Sequence, residues 1–253
     1  MSIHEDSIAV GAPEDNCRDV IINGLVACSN NAGAGYGAVY AFKRSGTSWS
    51  QEAFLSSPRN LNGDWVGGDV AIWGDTIVAG SVGDSSNQTT ITNGSTASTD
   101  FSMNDAGAAY VFTRSGSTWS QQAYLKPPNP SPLNTFASSL AIEDDLIIIG
   151  VRREGSVQSE ITNGNTAANC VASNSGAAFV YERSGTSWSQ KAYIKASNRD
   201  DGDEFGSDVA MFGDTIAIGA KHEDSDQVTI SNQSSASTDN SLVNAGAAYI
   251  IDK

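Results

Sequence analysis

The sequence predicts an all-β protein, a β-propeller of four-stranded antiparallel blades with about 70 residues per repeat. Two observations carry that reading. A stretch of two short apolar runs around a two-residue turn, Gly202–Ala220, recurs at Gly63–Ser81 and, worn, at Leu133–Val151; its second half opens the chain at Met1–Ala12. The marks inside this stretch and beyond it keep one period. The turn aspartates are Asp6, Asp75, Asp145 and Asp214, evenly spaced along the chain, and Gly-Ala-(Ala/Val)-aromatic runs start at the same interval from Gly37, Gly107, Gly176 and Gly246. Arg-Ser-Gly-x-x-Trp-Ser-Gln starts at Arg44, Arg114 and Arg183. So constant a period marks a repeat array rather than separate domains.

The units run over about 1–62, 63–131, 132–200 and 201–253. In the second, strands are predicted over Val66–Trp73, Thr76–Ser81, Gly107–Thr113 and Thr118–Lys126, each short, β-branched or aromatic, and bounded by turn residues. No segment sustains a 3.6-residue period, so almost no helix is expected. Gly74-Asp75 and Gly213-Asp214 suit a two-residue hairpin, where positive φ is needed. The Gly-Ala pairs read as close approach of backbones. A linear β-solenoid is the weaker alternative, because a unit of four strands is large for one coil.

Strands two and three are joined by long loops of near-constant length whose contents recur, as in Ile91-Thr92-Asn93-Gly94 and Ile161-Thr162-Asn163-Gly164. Constant length and content predict folded loops rather than linkers. Trp49, Trp119 and Trp188 recur once per unit; sheet-to-sheet packing is expected of them, with sugar stacking the alternative.

The net charge of −15, from 29 acidic and 14 basic residues, argues against nucleic acid and against an anionic membrane. No apolar run reaches the roughly 20 residues of a spanning helix. His4 and His222 lie in no catalytic motif, and no nucleotide-binding glycine pattern appears, so an enzyme is not expected.

Phe205-Gly206 followed by Gly219-Ala220, with Gly11-Ala12-Pro13 in the first unit, resembles the FG-GAP repeats of integrin α-subunit propellers and, more closely, of bacterial secreted FG-GAP proteins. Val66-Gly67 and Phe136-Ala137 depart from the Phe-Gly pattern. The resemblance implies an extracellular or cell-surface, non-catalytic adhesion or assembly module. The integrin calcium loop is not carried over, because a two-residue turn stands in its place.

Candidate sites lie in the long loops. Asp84, Asp100 and Asp105 in the second unit, and Asp224, Asp226 and Asp239 in the fourth, offer oxygen ligands for calcium, against the plainer reading of a solvated acidic loop. The third unit has Glu154 and Glu160 instead and should bind worst. Cys17 and Cys28 share the first loop and form either a disulfide or free thiols, with Cys170 left over. Asn87, Asn93 and Asn232 stand in glycosylation sequons, which also arise by chance in such loops. Counting predicted strands leaves one end short of an inner strand and the other short of an outer one. That predicts association through open ends, with a second copy in a ring or filament, or with another surface protein or glycan. Two further functions stay open: a calcium-dependent carbohydrate-binding module, and a hydrolase using carboxylates from neighbouring blades.

Overall fold

The structure, a computed structural model, describes residues 1–24, 28, 33–59, 61–165, 174–227, 230 and 237–253. Among these there is no helix, and the strands form four antiparallel sheets, the blades of a β-propeller. Blade 1 contains β1 (Ser2–His4), β2 (Ser7–Ala12), β3 (Ile21–Asn23), β4 (Ala38–Ser45) and β5 (Ser48–Leu55). Blade 2 contains β6 (Val66–Trp73), β7 (Thr76–Ser81), β8 (Thr92–Asn93), β9 (Ala108–Ser115) and β10 (Thr118–Leu125). Blade 3 contains β11 (Ser139–Glu143), β12 (Leu146–Val151), β13 (Thr162–Asn163), β14 (Ala177–Ser184) and β15 (Ser187–Ile194). Blade 4 contains β16 (Phe205–Phe212), β17 (Thr215–Ala220) and β18 (Ala247–Asp252).

The expected strands of blade 2 appear close to their predicted bounds. The expectation of four strands per blade needs correction. The spatial order in blade 2 is β6-β7-β9-β10-β8, so a fifth, very short strand from the long loop pairs with the outer edge of β10. Blades 1 and 3 repeat this, through β3 and β13. Such a strand is too short to leave a periodic signal, and its partner is supplied only by tertiary folding.

The core lies between blades. One apolar cluster joins blades 1 and 2 through Val39, Leu55, Ile77 and Tyr110; a second joins blades 2 and 3 through Val78, Leu125, Ile147 and Phe179; a third joins blades 3 and 4 through Ile148, Val180, Phe205 and Ile218. The motif glycines make this approach possible. Gly67 packs on Gly11, where a Cβ on Gly11 would lie 2.0 Å from the Gly67 carbonyl oxygen. Gly150 meets Gly206 in the same way, at 2.2 Å. The Phe-Gly and Gly-Ala halves of the repeat are thus two sides of one interblade contact. Between them, Gly37, Gly107 and Gly176 form isolated parallel bridges to Val66, Phe136 and Phe205 of the next blade.

Each Arg-Ser-Gly-x-x-Trp hairpin is explained by a second contact. Arg44, Arg114 and Arg183 pair with the turn aspartates Asp6, Asp75 and Asp145 at 2.6 Å. The same guanidiniums lie over the rings of Trp49, Trp119 and Trp188, between 5.1 Å and 5.6 Å from their centroids. Trp119 donates its indole N–H to Glu52 of blade 1, and Trp188 to Gln122 of blade 2. Trp119 and Trp188 are 1% and 2% exposed, whereas Trp49, with no preceding blade against it among the described residues, is 41% exposed.

Candidate functional site

The long loops place an acid at one fixed position per blade: Asp15, Asp84, Glu154 and Glu223, half-buried in blade 1 and buried in the other three. What neutralises that acid differs from blade to blade. In blade 2 the Asp84 side chain is wholly buried, with Lys126 Nζ at 3.4 Å and Arg59 Nε at 3.1 Å. Tyr124 donates its hydroxyl to Asp84 at 3.0 Å, and Ser86 donates its backbone N–H. Lys126 follows the end of β10, and its ammonium also donates to the Ser86 and Gly107 carbonyls at 2.8 Å and 2.7 Å. Arg59 arrives from the end of blade 1, and it also pairs with Asp64 at 3.2 Å. The cluster therefore balances two cations against two carboxylates. Burial pulls the Lys126 ammonium below its usual range, with Asp84 opposing. Burial also holds the Tyr110 and Tyr124 hydroxyls well above theirs, with Asp84 adding to the effect. It pushes Asp64 up to about 7, against the pull of Arg59.

Blade 3 repeats the plan with Glu154. Lys195 Nζ lies 2.9 Å from it, Tyr193 donates at 3.0 Å, and Asn129 from the end of blade 2 donates at 2.9 Å. Blade 1 has Ser56 in the lysine position, donating to the Gly37 carbonyl at 2.6 Å, while Tyr40 and the Cys17 N–H hold Asp15. There the loop is stapled: Cys17, which stands where Ser86 and Ser156 stand, is bonded to Cys28, their Cα atoms 5.7 Å apart. Blade 4 keeps the acid but, among the described residues, has no lysine paired with it. Glu223 is 2% exposed and accepts from Asn198 at 2.8 Å and from Ser225. Nearby Asp203 is pushed up to about 6 by burial, with the charges of Asp200, Glu223 and Asp224 adding to it.

These contacts revise the candidate ligands. Asp84 is not a free loop carboxylate, because an ammonium and a guanidinium already fill the places a cation would take. Asp100 instead accepts from the Asn87 N–H and from Ser102, the first of which pulls its carboxyl below the usual range. Asp105 is half-buried, with Asn104 at 3.3 Å. In blade 4, Asp224 accepts from the Asn244 N–H, and Asp239 from Ser241, whose hydroxyl contact lowers its titration. Asp226 is exposed. Neither set of three aspartates gathers around one point among the described residues. The only group of three or more acidic, histidine or cysteine side chains that does so there is Cys17, Asp19 and Cys28, and its two sulfurs are bonded to each other.

Asn93 is likewise committed. Its amide donates to the Trp188 carbonyl and accepts the Trp188 N–H at 2.7 Å, clasping blade 2 to blade 3, and Asn23 holds Trp119 in the same way. A glycan on Asn93 would break that clasp, whereas Asn87 is exposed. Asn232 and Cys170 lie outside the described residues. The sequence carries only a trace of the clasp, an Asn-Gly and a hairpin Trp in each of the first three units.

A groove of about 620 Å³ between blades 2 and 3 is lined by Trp73, Asp75, Asp144 and Asp145, among others. Arg114 pairs with Asp75 there, and Arg183 with Asp145. His4 accepts the Gly74 N–H and packs on Trp73, a structural role.

Residues 188–251 match the family described as the FG-GAP repeat. That stretch is similar to an FG-GAP repeat, and the antiparallel sheets around it have the all-β organisation of propeller blades. No curated protein matches the chain. Among the described residues no helix is long and apolar enough to cross a membrane.

Proposed function

We propose that this chain is a non-catalytic, extracellular adhesion or assembly module that works through exposed apolar surface on blades 1 and 4. One observation carries the reading. The face that buries Val111 and Val180 between blades, at 0% and 4% exposure, is uncovered in blade 4, where Ile250 in the same register is 66% exposed. The exposed Phe212 shares that blade, and Trp49 and Ile3 are exposed on blade 1. Apolar surface laid out in the pattern of an interblade contact favours a second blade-like surface as partner. The committed state of Asp84 and the arginine pairing of Asp75 and Asp145 favour this over a calcium-dependent lectin or a hydrolase. The test is size-exclusion chromatography with light scattering across a concentration series. Association that weakens in Trp49→Ala and Ile250→Asp supports the reading; a monomer at every concentration that also captures no partner from a surface-protein or glycan array defeats it.

A further inference from the structure

Blade 3 differs from blade 2 in what surrounds its buried acid. In blade 2, Asp84 lies between two cations, Lys126 and Arg59. In blade 3 the place of Arg59, equally far before the acid in the chain, belongs to Asn129. Among the described residues Glu154 therefore meets one cation, Lys195, and one neutral carboxamide. The Lys195 and Glu154 side chains are 0% and 1% exposed. Lys195 Nζ lies 2.9 Å from Glu154 Oε2, and Asn129 Nδ2 donates to Glu154 Oε1 at 2.9 Å. Nζ also donates to Ser175 Oγ at 2.8 Å and to the Gly176 carbonyl, contacts that fix it beside the acid. Amine, carboxyl group and carboxamide thus meet in one cluster, with a different oxygen of the acid on each nitrogen.

We propose that Lys195 and Asn129 join in an isopeptide bond that the chain forms by itself, with Glu154 as the catalytic residue. This modification does not depend on the assembly reading. The ammonium first gives a proton to Glu154 Oε2, which turns a buried ion pair into two neutral groups. The neutral amine attacks Cγ of Asn129; the Nζ–Cγ bond forms and the Cγ–Nδ2 bond breaks. Glu154 passes its proton to Nδ2 and takes the surplus proton from Nζ, and Nδ2 leaves as ammonia. Glu154 ends protonated, so no charge is left buried alone. Because both nitrogens already touch one carboxyl group, the attack needs movement only within this cluster. Burial of Lys195 and Glu154 keeps bulk water from the reacting amine. Asn129 is followed by Pro130, whose nitrogen carries no N–H and so cannot close on Cγ as a succinimide. The bond ties the segment after β10 to the end of β15, the long outer strands of neighbouring blades. Blade 2 has a guanidinium in the place of the carboxamide, so its Lys126 has no such carbon to attack there.

Mass spectrometry of the whole chain tests this. The intact mass, with the disulfide allowed for, should fall below the sequence value by one ammonia, about 17 Da. Trypsin should leave Lys195 uncut and release a branched peptide that joins it to the segment holding Asn129. Glu154→Gln keeps the shape of the acid but cannot carry the proton, and it should stay at its full sequence mass, as should Asn129→Ala. Should these variants not fold, the branched peptide from the unaltered chain still decides. The full sequence mass, with Asn129 and Lys195 recovered in separate unmodified peptides, overturns the proposal. So does an ammonia loss that maps only to an asparagine followed by glycine, the mark of a succinimide. A branched peptide that persists in Glu154→Gln would retain the bond and overturn the role of Glu154.

Discussion

The long loops of blades 1 and 2 are nearly equal in length and carry an acid at the same position, yet they are held by different chemistry. Blade 2 closes on Asp84 with the Lys126 ammonium, and blade 1 closes beside Asp15 with the Cys17–Cys28 bond and the small hydroxyl of Ser56. In these two blades the long loop is ordered at the same place by different means, the pairing of a buried charge in blade 2 and a covalent staple in blade 1. An ammonium in the loop centre does what a calcium ion would do there. It gathers carboxylate and carbonyl oxygens around a positive charge without needing a free ion.

The largest expected effect tests that equivalence. Lys126→Ala leaves Asp84 buried with one cation fewer and should cost about 3–5 kcal/mol, whereas Ser56→Ala removes one neutral hydrogen bond and should cost about 1 kcal/mol. Urea unfolding measures both, and similar losses would show that the buried ammonium holds its loop no more strongly than the hydroxyl holds the loop of blade 1. Reduction of Cys17–Cys28, which encloses a short loop, should cost about 2–3 kcal/mol and raise protease cutting in the blade 1 loop while the blade 2 loop stays resistant. Equal sensitivity of the two loops would mean that the staple has no local role.

Ala137 sets blade 3 apart from blade 2. It holds φ +68° in the place where Gly67 and Gly206 hold +87° and +82°, and β11 starts late, at Ser139. Ala137→Gly should stabilise by about 1 kcal/mol through relief of the left-handed backbone, read as a rise in melting temperature; a fall would show that the buried methyl outweighs the strain.

The smallest effect is one of pH. An unfolded aspartate titrates near 4, and Asp203 is pushed up to about 6 in the fold. The folded state therefore holds an extra proton between these values, and its contribution to stability falls as pH rises from about 4 to about 6. Blade 3 has Asn134 at the position of Asp203. Asp203→Asn should therefore flatten the stability profile over that window, and an unchanged slope would clear Asp203 of responsibility. EDTA should leave the melting temperature in place, since lysines already hold the centres of the blade 2 and blade 3 loops; a marked drop would restore calcium as a ligand elsewhere in the loops.

The blade is legible in the local sequence. The constant period, the Gly-Asp turns and the short β-branched runs are local signals, and β6 and β7 fall on the residues they predict. The backbone proximity implied by Gly37, Gly107 and Gly176 was legible as well, because only glycine tolerates such contact. Tertiary structure alone decided what the loop acids do. Asp84 reads as a calcium ligand beside its sequence neighbours, but the groups that neutralise it stand far along the chain. Lys126 follows the last long strand of the same blade, and Arg59 comes from the preceding repeat, across a blade boundary. Electrostatic pairing depends on distance in space, and burial sets how strongly each charge needs its partner; neither quantity is written in the local sequence.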